Sequence, residues 1–207
     1  MINTIVCIGT GPSLKLDQIQ IAREKGFRLF GCNRVFEIVP DLELLYGCNK
    51  AFWDTYAVAA NEHICEKWTT NLQAAHQHKI NWIGERFGMG LCTDENFIHH
   101  GHGAGYSLVG MAHKMGADRV LLIGYDLKYA ADYDGKSQKI GSQPRHYFGE
   151  YPKHLQHWPS VSVLGGVHVE LVDLYRSVHE QGLIEILNCT PGSALEDVIP
   201  SMNIADA

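Results

Sequence analysis

The sequence predicts an α/β fold, a single Rossmann-like domain over residues 1–207 with a mostly parallel central sheet flanked by helices. Short apolar runs such as Ile5-Val6-Cys7-Ile8 and Val120-Leu121-Leu122-Ile123 are typical of strands that are covered on both faces. Stretches with helical spacing separate these runs, and strands that alternate with helices form parallel sheets. The chain has 207 residues, of which 45% are apolar and 19% charged, which suits one domain with a substantial core.

The amino-terminal part is predicted to fold as strand, turn and helix. The run Ile5-Val6-Cys7-Ile8 leads into Gly9-Thr10-Gly11-Pro12-Ser13, which we call the glycine turn. Residues 16–22 then keep helical spacing until Gly26, a residue type that commonly ends helices. Further strands are predicted at residues 28–32, 42–46 and 80–83. The remainder of residues 52–97 shows no sustained period, so no other element is predicted there.

The carboxyl-terminal part contains a second strong unit of helix and strand. A helix that starts near Gly105 keeps apolar spacing until Gly116, and the strand at residues 120–123 follows. Residues 125–160 show little periodicity and are long for a loop, which favours a mobile lid. The last elements are predicted as a helix at residues 167–178, a strand at 184–187, a turn at 188–193 and a short closing helix.

Charge and composition weigh against several classes of function. The formal net charge of -6 and the sequence pI near 6.0 disfavour a nucleic-acid or membrane-surface partner, which usually meets a basic face. No apolar run is long enough to cross a bilayer, and no basic segment with a cleavage site opens the chain, so we expect a cytoplasmic protein. The six scattered cysteines form no C-x-x-C pair and are predicted to be reduced. Homo-oligomer formation is left open.

The glycine turn has the composition of a site for phosphate or carboxylate. Gly9 and Gly11 allow close approach to a ligand, and the amides at the start of the next helix favour an anion. Leu14 stands where a dinucleotide-binding turn has its third glycine, and Asn33 rather than an acid ends the second strand, which disfavours NAD. A Walker lysine pattern is also missing from the sequence. The turn therefore predicts another kind of nucleotide site, although glycines here also suit a purely structural turn.

Polar residues that follow other predicted elements add candidate contacts. Asn33 and Asn49 can donate and accept hydrogen bonds, which suits a ribose or a base edge, but each also suits a turn that bonds its own backbone. The histidine-rich run at residues 99–102 precedes the helix at Gly105, where histidines can assist phosphate binding. That run lacks the H-E-x-x-H pattern and the cysteine partners of a zinc site, so a metal is disfavoured.

The segment at residues 125–160 contains the candidate acid and base groups. Asp132-Tyr133-Asp134 matches the short D-x-D pattern with which many glycosyltransferases hold a divalent ion, but Asp134-Gly135 is also a common turn. Histidines titrate near neutral pH, and cationic or phenolic side chains can donate to phosphate. The candidate groups of both kinds are Arg145, His146, Tyr147, Lys153, His154 and His157.

These motifs resemble those of bacterial sialyltransferases that use CMP-sialic acid, and of related phage and MptE-like proteins with the same nucleotide-binding core. The resemblance extends over most of the chain, and the motifs occur in the same order. They are Ile8-Gly9-Thr10-Gly11-Pro12-Ser13-Leu14, Gly31-Cys32-Asn33-Arg34, Gly105 with its helix, Ile123-Gly124-Tyr125-Asp126, His146-Tyr147-Phe148-Gly149 and Cys189-Thr190-Pro191-Gly192-Ser193. The resemblance implies a protein encoded by a bacterium or by a phage in a bacterial host.

The resemblance also implies a nucleotide site around the glycine turn. The turn would surround the phosphate and ribose, while lid tyrosines would stabilise the departing phosphate as neutral donors. No cofactor and no divalent metal would then be required. The predicted nucleotide-binding residues are Gly9, Thr10, Gly11, Pro12, Ser13, Asn33, Asn49, Gly105, Tyr125, Asp126, Tyr133, Pro191 and Ser193.

The chain departs from this family at positions that matter for catalysis. Thr10 replaces an asparagine, and Glu150 stands where the family has its catalytic histidine. Glu150, His146 or His154 would then be the base, and Tyr147 completes the candidate catalytic set. The arginine that the family has before its conserved helix is also replaced, which leaves the donor sugar open.

Three functions agree with these observations. The leading hypothesis is a nucleotide-sugar-dependent glycosyltransferase that transfers a sugar to an acceptor hydroxyl without a metal, with the acceptor left open. A pterin diphosphokinase of the MptE-like kind would instead use ATP and magnesium, with Asp126, Asp132 and Asp134 as metal ligands. The third is a phage-type protein that binds a nucleotide without turnover.

Overall fold

The computed structural model of the protein describes residues 2–99, 101–128, 146–149, 151–155 and 161–207. The strands are β1 (Thr4–Ile8), β2 (Arg28–Cys32), β3 (Leu44–Tyr46), β4 (Glu66–Thr69), β5 (Asn81–Trp82), β6 (Gly84–Arg86), β7 (Phe97–His99), β8 (Arg119–Ile123) and β9 (Glu185–Asn188). The α-helices are α1 (Leu16–Glu24), α2 (Lys50–Ala60), α3 (Leu72–His78), α4 (Ala104–Lys114) and α5 (Val161–Gln181). Short 3-10 helices lie at Asn33–Glu37, Lys153–Leu155 and Ile204–Asp206.

Seven strands form one parallel sheet in the order β5-β4-β3-β2-β1-β8-β9, and β6 and β7 pair separately, also in parallel. The chain runs outward from β1 to β5 and then returns to the other side of β1 with β8. Ile8 at the end of β1 is in register with Gly31 of β2 and Ile123 of β8. Because ligands of open parallel sheets bind outside the carboxyl ends of the strands where the order reverses, the crevice between β1 and β8 is the expected site.

The two faces of the sheet pack against different helices. Ile5 and Cys7 of β1 belong to a buried cluster with side chains of α4 and α5. The alternate residues Val6 and Ile8 belong to a second cluster with side chains of α1 and α2. All four are fully buried, which explains why β1 is a continuous apolar run rather than an alternating one.

The α/β fold predicted from the sequence is confirmed, as are its strongest elements. The predicted units at β1, α1 and β2, at α4 and β8, and at β9 all form, and the short closing helix is the 3-10 helix Ile204–Asp206. Gly26, Gly116 and Gly182 follow α1, α4 and α5 with positive φ angles of 70°, 79° and 61°, as helix-ending glycines do. The last helix is longer than predicted, because α5 begins at Val161. Within the predicted lid, residues 129–145, 150 and 156–160 lie outside the described residues, so its mobility stays a prediction.

The middle of the chain contains elements that the sequence analysis did not predict. Helices α2 and α3 and strands β4, β6 and β7 lie between residues 50 and 99, and the strand predicted at residues 80–83 shortens to β5. Strand β4 lies next to the edge strand β5, and its residues 66–68 are exposed or half-buried, so β4 lacks an apolar run. On α2 the apolar Val58 faces solvent and obscures the helical period.

The cysteines of the described residues are free, as predicted, and four of the six are buried. Burial raises the pKa of the Cys32 thiol to about 12 and that of the Cys189 thiol to about 11. Thiols with such pKa values are poor nucleophiles at neutral pH. No helix among the described residues is both long and apolar enough to cross a membrane.

The central strands should dominate the stability of this fold. Leu121 of β8 is completely buried, and replacing it with alanine leaves a cavity, so Leu121→Ala is expected to lower the free energy of unfolding by about 2–5 kcal/mol. The matched control Val58→Ala truncates a side chain that is 82% exposed. It should change the free energy of unfolding by no more than about 0.5 kcal/mol. Urea unfolding followed by circular dichroism measures both. Equal effects of the two changes would contradict the assignment of the core.

Candidate functional site

The glycine turn packs directly against the loop that follows β8. The amide of Gly9 donates to the carbonyl oxygen of Ile123 at 2.8 Å, and that of Gly11 donates to the carbonyl oxygen of Gly124 at 2.9 Å. A Cβ atom on Gly9 would lie 2.5 Å from the Gly124 oxygen. Gly124 itself has a φ of 70°, a conformation that side chains rarely adopt. Only glycine fits at these positions, and the two loops close the base of the crevice.

Asp126 fixes the far end of the glycine turn. Its carboxylate accepts hydrogen bonds from the Ser13 amide at 3.2 Å and from the Ser13 hydroxyl at 2.8 Å. A Cβ atom on Gly11 would lie 1.8 Å from Asp126 Oδ2, so the carboxylate occupies the space that this glycine leaves. Burial raises the pKa of the Asp126 carboxyl, and its bonds with Ser13 offset part of that rise.

The segment at residues 146–149 lies against the outer side of the turn. His146 Nδ1 is 3.2 Å from Thr10 Oγ1, and the Tyr147 amide donates to the Thr10 carbonyl oxygen at 2.9 Å. Either group of the first pair can be the donor, depending on the histidine tautomer. His146 and Tyr147, two of the predicted catalytic residues, therefore meet the predicted nucleotide site.

The amino terminus of α4 lies at the same edge of the sheet, because α4 runs antiparallel to the strand that it precedes. Its N-cap residue, Gly103, forms no side-chain cap, so the first amides of the helix and its dipole favour an anion here. The Tyr125 hydroxyl donates to the Gly105 carbonyl oxygen at 3.0 Å. A Cβ atom on Gly105 would lie 2.8 Å from the Tyr125 ring. Tyr125 is buried, and it joins α4 to the loop after β8.

The loop after β9 supports Tyr125 from behind. The Tyr125 amide donates to Thr190 Oγ1 at 3.0 Å, and Ser193 Oγ donates to the Tyr125 carbonyl oxygen at 2.6 Å. Ser193 and Thr190 are buried, whereas Pro191 is exposed. Ser193, a predicted site residue, and Thr190, which belongs to the same motif, thus hold the loop after β8 in place.

The two predicted asparagines follow β2 and β3 at the same edge of the sheet. Asn33 has a positive φ of 52° and opens a 3-10 helix beside the end of β1. Asn49 is exposed at the N-cap position of α2, and its side chain forms no capping bond. Asn33 is next to the glycine turn through the pairing of β1 with β2, whereas Asn49 lies one strand further away.

The remaining predicted residues are more distant or fall outside the description. His154 lies on the surface, and its Nε2 is 2.8 Å from Thr55 Oγ1 of α2. Glu150 and Tyr133 lie outside the described residues, and so do Asp132 and Asp134. Their predicted roles stay predictions.

Histidines of the run before α4 have protein partners of their own. His99 Nδ1 is 3.0 Å from the Gly90 carbonyl oxygen, and His102 Nδ1 contacts the carboxylate of Glu170 on α5. Across the described ranges, no three histidine, cysteine or acidic side chains are grouped so that they could hold a metal ion.

Gly124 and Thr190 belong to two of the motifs in the sequence, but they were not predicted to be site residues. Gly124 supplies the oxygen that receives the Gly11 amide, and Thr190 receives the Tyr125 amide. A glycine directly after the buried strand β8 mirrors the glycine after β1, and this symmetry is the signal that could have identified it.

The fold is that of sialyltransferases. No protein-family model matches this sequence, and no curated protein is similar enough to match it. Among solved structures, the sialyltransferase CstII in complex with a trisaccharide acceptor and CMP aligns with a TM-score of 0.56 and 13% identity, over 99% of this chain and 88% of that chain. CstII from Campylobacter jejuni in complex with the substrate analogue CMP-3FNeuAc aligns with a TM-score of 0.55 and 13% identity, over 100% and 88%. This likeness shows that the chain shares the fold of these sialyltransferase structures.

A methyl group on the glycine turn should be destabilising. Because the Cβ atom of Gly11→Ala would overlap with Asp126 Oδ2 and lie 2.6 Å from the Gly124 oxygen, we expect a loss of about 1–3 kcal/mol in the free energy of unfolding. The control is Gly166→Ala in α5, where a Cβ atom meets nothing within 4 Å and alanine favours the helix by about 1 kcal/mol. Thermal and urea unfolding measure both variants. A Gly11→Ala protein as stable as the control would refute the close packing of the turn.

Asp126 should give stability a pH dependence of defined sign. Its pKa is raised in the folded state, mainly by burial, so its stabilising contribution is complete below the unfolded-state pKa and is lost as the pH rises through the folded-state pKa. The free energy of unfolding of the wild type relative to Asp126→Asn should therefore fall as the pH rises from about 3 to 7. Urea unfolding across that range measures the difference.

Asp41→Asn is the matched control for this pH dependence. A hydrogen bond from Arg23 lowers the pKa of the Asp41 carboxyl. The wild type should therefore gain stability relative to Asp41→Asn as the pH rises from the folded-state pKa to above the unfolded-state pKa. If the stability of the wild type relative to each variant changed with pH in the same direction for both, the environment described for Asp126 would be contradicted.

Proposed function

We propose that this protein is a nucleotide-sugar-dependent glycosyltransferase that transfers a sugar to an acceptor hydroxyl without a metal ion. The observation that carries the proposal is the contact between His146 Nδ1 and Thr10 Oγ1 at 3.2 Å. It brings a candidate base to a glycine turn that lies where the strand order reverses, in a chain with the fold of sialyltransferases.

The crevice offers the groups that a nucleotide phosphate needs. The amides of Gly9, Gly11 and Ser13 donate within the protein, so the phosphate would meet the uncapped amino terminus of α4, which presents amides and a positive dipole end. Asn33 lies at the end of the neighbouring strand, where its amide can meet a ribose hydroxyl. The CstII structures contain CMP and CMP-3FNeuAc, so a CMP-linked sugar is the first donor to test.

The proposed reaction is a displacement at the anomeric carbon of the donor. The acceptor oxygen attacks this carbon and forms the new glycosidic bond while its proton passes to His146. The bond from the anomeric carbon to the phosphate oxygen breaks, and the nucleotide leaves with the electron pair. We propose the amides at the start of α4 and the Tyr147 hydroxyl as the groups that stabilise the charge on the leaving phosphate, as preorganised donors do.

Thr10 would orient the imidazole of the base. If the Thr10 hydroxyl accepts a hydrogen bond from Nδ1, the proton of the neutral imidazole resides there, and Nε2 is the nitrogen that accepts a proton. Histidine is the side chain that most often serves as a general base in enzymes. Thr10 thus takes part in the proposed chemistry through His146 rather than through direct contact with the reacting atoms.

The alternative that needs magnesium has less support from the described residues. A pterin diphosphokinase would use Asp126 as a metal ligand, but both oxygens of this carboxylate accept hydrogen bonds from Ser13. Binding without turnover stays a testable alternative, since Glu150 replaces the histidine of the family that the sequence resembles.

A panel of donors tests the proposal. Purified protein is incubated with CMP-, UDP- and GDP-sugars, and with ATP, magnesium and a pterin, while melting temperature and nucleotide release are followed. We expect a nucleotide sugar to raise the melting temperature and to be hydrolysed slowly or transferred without added metal. Stabilisation without any release of nucleotide would favour a binding protein, and magnesium-dependent use of ATP with the pterin would favour the kinase. The absence of any response would exclude all three functions.

Replacing the proposed base separates binding from chemistry. His146→Ala is expected to lower kcat for donor use by about 100-fold or more, because general base catalysis contributes that much. Its nucleotide affinity should stay within about threefold of the wild-type value, since the phosphate groups meet backbone amides. The control His179→Ala changes an exposed histidine at the end of α5, at the opposite edge of the sheet, and should leave both values unchanged. A fully active His146→Ala enzyme would show that His146 is not the base and would leave Glu150 and His154 as the candidates.

A further inference from the structure

Arg34 is held in one orientation by the 3-10 helix that follows β2. The helix Asn33–Glu37 places Arg34 and Glu37 three residues apart on one face. The Arg34 guanidinium donates to the Glu37 carboxylate through Nε at 2.6 Å and through Nη2 at 2.8 Å. Because a planar guanidinium bound at two nitrogens cannot rotate freely, the direction of its third nitrogen is fixed.

The third nitrogen reaches the segment at residues 146–149. Arg34 Nη1 donates to the Phe148 carbonyl oxygen at 3.2 Å. The same guanidinium lies over the Phe148 ring, with 5.1 Å from Cζ to the ring centroid. Arg34 thus binds Phe148 through both the carbonyl oxygen and the aromatic ring of that residue.

Two tyrosines extend this contact around the guanidinium. Cζ of Arg34 is 5.6 Å from the centroid of Tyr151 and 5.7 Å from that of Tyr56 on α2. Only 17% of the Arg34 side chain is exposed, and cation–π attraction is strongest where the cation is removed from water. We call Arg34 together with Tyr56, Phe148 and Tyr151 the arginine clamp.

The arginine clamp ends at the proposed base. The Tyr151 ring contacts the His146 ring edge-on, with 5.2 Å between centroids and an angle of 89°. His146 therefore has Tyr151 against its ring and Thr10 at its Nδ1 nitrogen. A continuous series of contacts leads from the end of β2 through Arg34 and Tyr151 to His146.

We infer that Arg34 is a positioning residue that holds the segment around His146 against the glycine turn. Arg34 touches neither of the atoms that form the contact between His146 and Thr10, so it acts through Phe148 and Tyr151. The consequence for turnover rests on the proposed function, whereas the consequence for the position of the segment does not. Lysine cannot replace this arginine fully, because a point charge lacks the planar set of donors that binds Glu37 and Phe148 together.

Hydrogen exchange tests the position of the segment without any substrate. The Tyr147 amide donates to Thr10, and the Gly149 amide donates to His146. In Arg34→Gln both amides are expected to exchange about tenfold faster or more, because exchange reports local opening of the segment. Arg34→Lys should show a smaller increase at both amides.

The matched control is Arg23→Gln, because Arg23 also makes a two-nitrogen contact with a carboxylate, that of Asp41. Arg23 lies on α1 and Asp41 in the turn before β3, and the loss of this pair should leave the exchange of Tyr147 and Gly149 unchanged. The free energy of unfolding of each variant is measured alongside, so that global opening is separated from local opening. If Arg34→Gln does not fold, Arg34→Lys and Tyr151→Leu provide the same comparison.

Kinetics then test the consequence for the reaction. Arg34→Gln should lower kcat by about tenfold while KM for the donor changes by less than about threefold, as expected when a base is misplaced rather than a binding group removed. Unchanged exchange at Tyr147 and Gly149 in the Arg34 variants would overturn the inference, whatever the activity. Faster exchange in a protein that shows no turnover would support the clamp and count against the proposed function alone.

Discussion

The direct contact between two backbones at the carboxyl ends of β1 and β8 is the constraint on which the rest of the site depends. Gly9 donates to Ile123 at the end of β8, Gly11 donates to Gly124 in the loop that follows, and Gly124 adopts a positive φ angle. A side chain at Gly9 or Gly11 would collide with that loop. At the reversal of strand order the two loops are therefore joined by backbone hydrogen bonds, and the Asp126 carboxylate fills the space beside Gly11. Parallel strands buried on both faces hold the two loops in register, so the geometry of the contact between the loops follows from the sheet.

Each further part of the site is attached to this contact by one or two hydrogen bonds. Asp126 binds the end of the glycine turn, Tyr125 binds the first turn of α4, and Ser193 binds Tyr125. These three links are formed by buried or half-buried groups that belong to the scaffold. The groups suited to proton transfer come instead from the segment that begins at His146, which meets the turn from outside. The structure thus separates a scaffold of buried contacts from a segment that contains His146 and packs against the outside of the glycine turn.

The parts of the fold and site that could be predicted are those determined by neighbouring residues. The strand before the glycine turn, the turn itself and the helix after it are visible as an apolar run, two glycines and a helical period. Strand β4 was missed because exposed and half-buried residues interrupt its apolar pattern, and the strand predicted at residues 80–83 forms only over Asn81–Trp82 as β5. Contacts between distant residues could not be predicted at all: Thr10 and His146 are separated by 136 positions. For the same reason the sequence left three candidate bases, and the contact with Thr10 distinguishes His146 among those that the structure describes.

The two departures from the family that the sequence resembles become related when they are placed in the fold. The family has asparagine at the position of Thr10 and histidine at that of Glu150, whereas here Thr10 contacts a histidine four residues before Glu150. A general base acts through the position of one nitrogen or oxygen, so its place along the chain can change if that atom reaches the same point in space. A threonine hydroxyl is shorter than an asparagine amide and can both donate and accept, which lets it orient an imidazole in either tautomer. Under our proposal, Thr10 and the arginine clamp fix the two sides of His146, and this double support is what allows a residue outside the usual position to act as the base.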